Sequence, residues 1–181
     1  MMNWSRGGGH EWGTLCGSLT GAFTAINMVC DQDTTGKLTN EIMAYYEQTP
    51  FPSDISNQMA NQKLFSVEKY YTTDILVQSI PKSPLCHVSV TRWCKKSGYA
   101  SKSDPRSERC ARLTSDVAVF AVEQLNKVAD GQFKSAYAKS AAATECGACH
   151  SSGKKFEQGG WVKGTMDCGL CHDVAPDHFD L

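Results

Sequence analysis

Two pentapeptides constrain this chain more than anything else in it. Cys146-Gly147-Ala148-Cys149-His150 and Cys168-Gly169-Leu170-Cys171-His172 are both C-x-x-C-H. That pattern reads as c-type haem attachment. Two intervening residues let both sulfurs reach the two vinyl groups on one side of a porphyrin and form thioethers. The next histidine turns beneath the ring, and its imidazole becomes the proximal iron ligand. Cys146, Cys149, Cys168 and Cys171 are thus expected to hold two haems, with His150 and His172 on the irons. Gly and Ser are abundant in this part of the chain, which suits a chain wrapping a large rigid cofactor that supplies much of its local core.

The same four cysteines also form C-x2-C-x18-C-x2-C, the spacing of a zinc ribbon. Four thiolates in a tetrahedron need no histidine. Here a histidine follows each pair directly, and two of the five histidines in the chain sit there, which favours haem. A thioredoxin-like redox pair would need a βαβ pattern around it, and neither pair has one.

Two haems leave two distal positions. His10, His87, His178 and six methionines remain. His178 follows His172 by six residues in a short tail that could fold over a haem. His10 sits in a glycine-rich loop free to approach a flat ring. These two are the distal candidates; His87 adjoins Cys86 and belongs more naturally to another site. Bis-His ligation gives lower potentials than Met/His ligation.

The five other cysteines are 16, 30, 86, 94 and 110. Cys86, Cys94 and Cys110 are separated by 7 and 15 residues on or near two helices, and Cys16 opens another. An iron–sulfur centre needs about four such ligands. The intervals match no standard ferredoxin run, so buried thiols, or one disulfide plus strays, remain the alternative.

A net charge of −1 provides no global field for nucleic acid. No run reaches the length of a membrane-spanning helix. Met1-Met2-Asn3-Trp4-Ser5-Arg6 is not followed by an apolar signal segment. Haem is attached to such motifs outside the cytoplasm, so the chain reads as a processed or truncated periplasmic protein; the zinc reading would leave it cytoplasmic. From Cys146 onward, Lys154, Lys155 and Lys163 face Glu157, Asp167, Asp173, Asp177 and Asp180. With haem propionates added this end is acidic, and a redox partner is expected to offer a basic patch. No Ser-His-Asp, phosphate-loop or paired-carboxylate constellation stands out. A multihaem reductase needs an open iron position, which the spare histidines make unnecessary, so an electron carrier is favoured over an enzyme.

The fold is expected to be mainly α. A helical, cysteine-containing domain spans 1–131, and a loop-rich dihaem segment spans 132–181. Residues 7–13 read as a glycine loop. A helix runs from about Leu15 to Cys30, with small residues on one side. Asp31 to Gly36 is expected to break it, and Thr39 or Asn40 to cap a second helix ending near Glu47. Residues 53–68 read as loop, and 66–80 are ambiguous between strand and helix. Pro81 and Pro84 open a short helix carrying Cys86, Trp93 and Cys94. Asp104 is the expected cap of the longest helix, with Pro105 in its first turn. Cys110, Leu113, Val117, Phe120, Ala121 and Val128 lie near one face of it, and Gly131 stops it. Phe133 to Thr144 reads as an Ala- and Ser-rich helix.

Gly7-Gly8-Gly9, Gly13 and Cys16-Gly17-Ser18-Leu19-Thr20-Gly21-Ala22 resemble the signature of a family of cysteine-rich redox-active proteins. In that family G-G-G precedes C-G-A-x-x-G. Two later cysteines follow, as Cys94 and Cys110 do here, the second entering a long helix. Joined to the tail, the whole resembles the split-Soret cytochromes c of sulfate-reducing bacteria. The resemblance implies a homodimer with closely stacked haems, bis-His ligation and an additional iron–sulfur centre, of [2Fe–2S] type, serving anaerobic respiration. Cys16, Cys94 and Cys110 carry over by motif. The family has a further cysteine upstream of the glycines that this chain begins too late to contain. Cys86 is the fourth candidate by proximity, with Cys30 or a lost upstream residue as the alternatives.

Overall fold

The computed structural model describes residues 2–151, 160 and 162–173. It is mainly helical, and among the described residues it contains no strand. Two compact units divide the chain, Met1–Tyr137 and Ala138–Leu181.

The first unit is built on three helices: α2 (Gly17–Val29), α3 (Gln32–Gln48) and α6 (Asp104–Ala129). A short helical turn, α1 (Arg6–Gly9), precedes them. Leu19 and Ile26 of α2, Leu38, Ile42 and Tyr46 of α3, and Leu113, Val117 and Ala121 of α6 form one buried cluster with Phe51. Phe120 and Val128 pack at its edge, so the apolar stripe read on α6 is core. Tyr45 stacks on Phe120 with ring centroids 4.0 Å apart.

α3 begins earlier than its sequence suggests. The Asp31 carboxylate accepts from the Thr34 backbone N–H at 2.8 Å and from its hydroxyl at 3.0 Å, capping the helix. These bonds hold the Asp31 carboxyl below its ordinary value. Gly36 therefore lies inside a helix rather than ending one, and Thr39 and Asn40 are interior. At α6 the cap is Ser103, whose hydroxyl accepts from Arg106 N–H; Asp104 is the first helical residue. Gly131, with φ +67°, ends α6.

Part of the stretch expected as loop forms α4 (Asp54–Asn61). Ser53 caps it and is tied to α6 through Asp116, which accepts from the Ser53 hydroxyl at 2.6 Å and N–H at 2.9 Å and from the Ser56 hydroxyl at 3.1 Å. The ambiguous segment after it is neither helix nor strand. Its backbone groups are satisfied by side chains of the helices instead. Arg112 of α6 donates to the Thr72 and Asp74 carbonyls at 2.8 and 2.7 Å, to Asn57 Oδ1 at 2.7 Å and to Glu108 Oε1 at 3.0 Å. Glu108 accepts from Tyr71 N–H at 2.9 Å. Asn57 bonds both the N–H and the carbonyl of Leu76. Trp93, fully buried on α5 (Cys86–Ser97), donates to the Val77 carbonyl at 2.7 Å.

In the second unit, α7 spans Ala141–His150, capped by Ser140, which accepts from Ala143 N–H at 3.1 Å. The helix expected over Phe133 to Thr144 is thus displaced toward the first C-x-x-C-H motif. A single 3-10 turn, Cys168–Leu170, carries the start of the second motif. No described helix is long and apolar enough to cross a membrane.

Candidate functional site

Cys16 and Cys86 are brought together by backbone. Leu15 and Leu85 form an antiparallel bridge. Cys16 N–H donates to the Pro84 carbonyl at 2.9 Å, and Cys86 N–H donates to the Thr14 carbonyl at 2.7 Å. Cys16 thereby stands at the start of α2 and Cys86 at the start of α5, on neighbouring extended segments.

The glycine stretch makes this approach possible. Gly8 has φ +70°, and a Cβ there would stand 2.6 Å from Thr14 backbone atoms and 2.9 Å from Cys86 Cβ. Gly8→Ala is expected to destabilise this unit by about 1–2 kcal/mol from the left-handed backbone alone, with more from the clash, and to push Cys86 away from Cys16. A thermal melt that matched the parent would contradict it.

The other two cysteines come from helices. Cys94 lies eight residues, about 12 Å of helix rise, beyond Cys86 on α5. Cys110 is in the second turn of α6. Cys86 feels both Cys16 and Cys110, and its thiol is pushed up to about 11, chiefly by burial and then by these neighbours. Burial also raises the Cys94 thiol, and of the cysteines it feels Cys110. The four do not close on one point. Among the described residues, no group of three His, Cys, Asp or Glu stands at metal-holding distances. Cys30, at the far end of α2, packs at the edge of the apolar core.

The polar surroundings of these four cysteines are richer in donors than in acceptors. Arg109 is 1% exposed. Its Nη2 donates to the Ser89 hydroxyl at 2.9 Å, its Nη1 lies 4.0 Å from Cys110 Sγ, and its Nε has no partner. No carboxylate pairs with it among the described residues. The fully buried Tyr46 hydroxyl is likewise unpartnered and faces Cys16 and Ser89; burial pushes it up from its ordinary value. Soft sulfur donors beside a buried, unpaired cation have the chemistry of an anionic, thiolate-held centre, but no three of these cysteines stand at metal-holding distances. Arg109, Tyr46 and Ser89 were not found by sequence reasoning. The adjacency of Arg109 to Cys110 was the available signal.

In the second unit, Cys146, Cys149 and His150 occupy the last turns of α7. Residues three and four apart share a helix face, so both sulfurs and the imidazole of this motif issue from one side. Desolvation raises the Cys146 thiol first, and its nearness to Cys168 next. Cys171 and His172 are exposed, and His172 N–H donates to the Cys168 carbonyl at 3.0 Å. His10 is exposed in left-handed backbone, φ 54°, at the end of α1. His178 and the acidic residues Glu157, Asp177 and Asp180 lie outside the described residues, as do Lys154 and Lys155.

Residues 1–124 match the family described as "Putative redox-active protein (C_GCAxxG_C_C)". The chain is 35% identical over 174 residues to split-Soret cytochrome c of Desulfovibrio desulfuricans, an alignment covering 95% of this chain. It spans 58% of the length of that curated relative. It is also similar to the solved structure described as "A novel iron centre in the split-Soret cytochrome c" from the same organism. The TM-score is 0.77 at 33% identity, covering 97% of this chain and 69% of that one. This chain belongs to the C_GCAxxG_C_C family and is a homologue of split-Soret cytochrome c.

Proposed function

We propose that the chain is a periplasmic dihaem c-type electron carrier. It works as a homodimer with closely placed haems and holds a thiolate-bound iron–sulfur centre in its helical unit. The observation that carries the reading is the pair of C-x-x-C-H motifs, the first of which presents two sulfurs and an imidazole from one helix face. Cys146 with Cys149, and Cys168 with Cys171, would anchor one haem each, with His150 and His172 as proximal ligands. His10 and His178 are the proposed distal ligands. Each haem supplies a one-electron couple.

The protein's part is to fix these groups and set their surroundings. Covalent anchoring through two cysteines holds each ring in place. Histidines on both faces would leave no iron position for substrate, which favours a carrier over a reductase. Cys16, Cys86, Cys94 and Cys110 are the proposed ligands of the additional centre. No three of them stand at metal-holding distances in this structure, so their assignment rests on the family motif and on the neighbourhood of Cys86.

The closeness of Cys146 to Cys168 is the one observation that favours the zinc ribbon, in which both pairs would share a metal. An ultraviolet–visible spectrum of protein matured in a host that attaches c-haem separates the two readings. The expected result is a sharp α band and an intense, two-component Soret band on dithionite reduction, unaffected by carbon monoxide. A colourless protein carrying one zinc per chain would overturn the cytochrome reading. A shift of the reduced Soret band with carbon monoxide would overturn the carrier role in favour of an open reductase site.

A further inference from the structure

We propose that Glu41 of α3 is the positioning residue for the haem-bearing segment: its carboxylate straps residues 135–137 to the helical unit and so fixes the point from which that segment departs. The inference rests on the proposed dihaem function and adds to it the group that holds the root of the haem segment.

The chain is well supported as it leaves α6. Gly131 turns it, at φ +67°. The Gln132 and Phe133 N–H groups both donate to the Lys127 carbonyl, at 2.8 and 3.0 Å. The Phe133 side chain packs against the apolar core. Beyond Phe133 this support ends. Residues 134–139 belong to no helix, and among the described residues their backbone makes no hydrogen bond to other backbone. Their side chains are exposed except for Tyr137, which is half-buried.

One group compensates. Glu41 Oε1 accepts from the Ser135 hydroxyl at 2.8 Å, from Ala136 N–H at 2.5 Å and from Tyr137 N–H at 2.6 Å. Among the described residues these are all the hydrogen bonds that 134–139 make. Bonds to an ionised acceptor are roughly twice as strong as neutral ones. All of these groups lie within the first unit.

The placement of Glu41 is specific. Thr34, Lys37 and Glu41 follow one face of α3, at spacings of three and four residues. Thr34 and Lys37 line an open cleft with Val128, Gly131, Phe133 and Ser135. Over those turns the departing chain stands off α3 instead of packing on it. Glu41, one turn beyond Lys37, is the side chain that spans the gap. Its neighbour Ile42 is fully buried in the core, so the helix that presents the carboxylate is itself fixed. Tyr137 lies three residues before Ser140, the cap of α7, whose last turns carry Cys146, Cys149 and His150. Holding residues 135–137 therefore holds the start of the chain that leads to the haem anchors. Released from Glu41, that chain would keep its haems, because the anchoring cysteines are untouched, but it would no longer leave the helical unit at one place.

The test uses the full chain, matured with haem, as Glu41→Ala, Glu41→Gln and Ser135→Ala variants. Haem content, the Soret band and the circular-dichroism melt are measured first. Lys134 is exposed and directly precedes Ser135, so trypsin cuts after it only when residues 135–137 come off Glu41. Lys63, exposed just beyond α4, is the internal control. The expected result is parental haem content and a parental melt in every variant. Cleavage after Lys134 should be faster by about tenfold in Glu41→Ala, which corresponds to about 1.4 kcal/mol of lost attachment. The gain should be smaller in Glu41→Gln, which keeps an acceptor, and smallest in Ser135→Ala, with cleavage after Lys63 unchanged. The two components of the Soret band should draw together in the same order. Should Glu41→Ala melt early, Glu41→Gln and Ser135→Ala carry the comparison. Parental cleavage after Lys134 in the Glu41 variants would rule out the strap. Faster cleavage with an unaltered Soret band would rule out the positioning role. A parent without two haems and a split Soret band would overturn the reading on which the inference rests, and is seen before any protease is added.

Discussion

Arg112→Met is expected to destabilise the helical unit by about 3–5 kcal/mol, the cost of leaving a buried carboxylate without its partner. Arg112 and Glu108 have side chains 1% and 5% exposed, 3.0 Å apart. Removing the guanidinium strands the Glu108 charge. It also leaves the Thr72 and Asp74 carbonyls without the donors that now reach them, and takes from Asn57 Oδ1 one of its two donors. Those carbonyls belong to the irregular segment before α5, so its attachment to α6 is weakened, while Asn57 and Trp93 still hold Leu76 and Val77. A loss of that size should lower the melting midpoint by roughly 10–20 °C for a unit of this length. Thermal unfolding followed by circular dichroism checks it. The exposed pair Lys37–Asp33 is the control: at 2.6 Å it is shorter, yet its side chains are 52% and 76% exposed. Lys37→Ala should leave the melting midpoint close to the parent's, because an exposed pair is screened by solvent. The Arg112→Met, Glu108→Gln double variant should lose less than the two singles added together. If Arg112→Met and Lys37→Ala melted alike, the 66–80 segment would not be held in the way described.

This network marks where the sequence stopped being readable. On α6 the apolar residues Leu113, Val117 and Ala121 repeat at helical spacing and are buried, because hydrophobic periodicity reports the core directly. Glu108, Arg109, Arg112 and Asp116 lie on the same helix and are also buried. Charged residues between apolar ones ordinarily read as a solvated face, and only their partners reveal otherwise. Those partners, Asn57, Thr72 and Asp74, are about 40 to 55 residues away. The early start of α3 and the whole of α4 depart from the sequence pattern for a local reason. Asp31 and Ser53 are caps, but Gly36 and the polar run after Ser53 looked like chain breaks. A cap can outweigh one glycine, since the capping bond and the glycine penalty are each about 1 kcal/mol.

The cysteines divide in the same way. The C-x-x-C-H motifs are compact enough for spacing to state their chemistry. The other cysteines are separated by whole helices. Cys16 meets Cys86 through a bridge between Leu15 and Leu85 that no periodicity announces. The glycines were legible as a motif, but their reason is visible only in three dimensions: the backbone at Gly8 passes against Cys86.

The largest functional effect is expected from deleting one haem anchor. In a Cys168→Ala, Cys171→Ala double variant, neither thioether of the second haem can form. Pyridine-haemochrome analysis should then fall from two haems per chain to one, and the mass of the denatured chain should drop by one haem beyond the two sulfur losses. The Cys146→Ala, Cys149→Ala variant should do the same through α7. The two differ in fold cost. Cys146 and Cys149 are on a capped helix whose geometry survives alanine. Cys168 lies in a single 3-10 turn whose cap is Asp167, accepting from Gly169 N–H at 3.0 Å. Single replacements separate anchoring from ligation. Cys149→Ala keeps one thioether and His150, so its haem should stay covalent, with the α band moved by the unreacted vinyl. His150→Ala keeps both thioethers, so its haem should stay but lose its six-coordinate, low-spin spectrum and begin to bind carbon monoxide. If closely placed haems split the Soret band, the split should collapse whenever either haem is missing. A band still split in both one-haem variants would separate the splitting from haem pairing. Two haems retained after loss of Cys168 and Cys171 would overturn the attachment sites themselves.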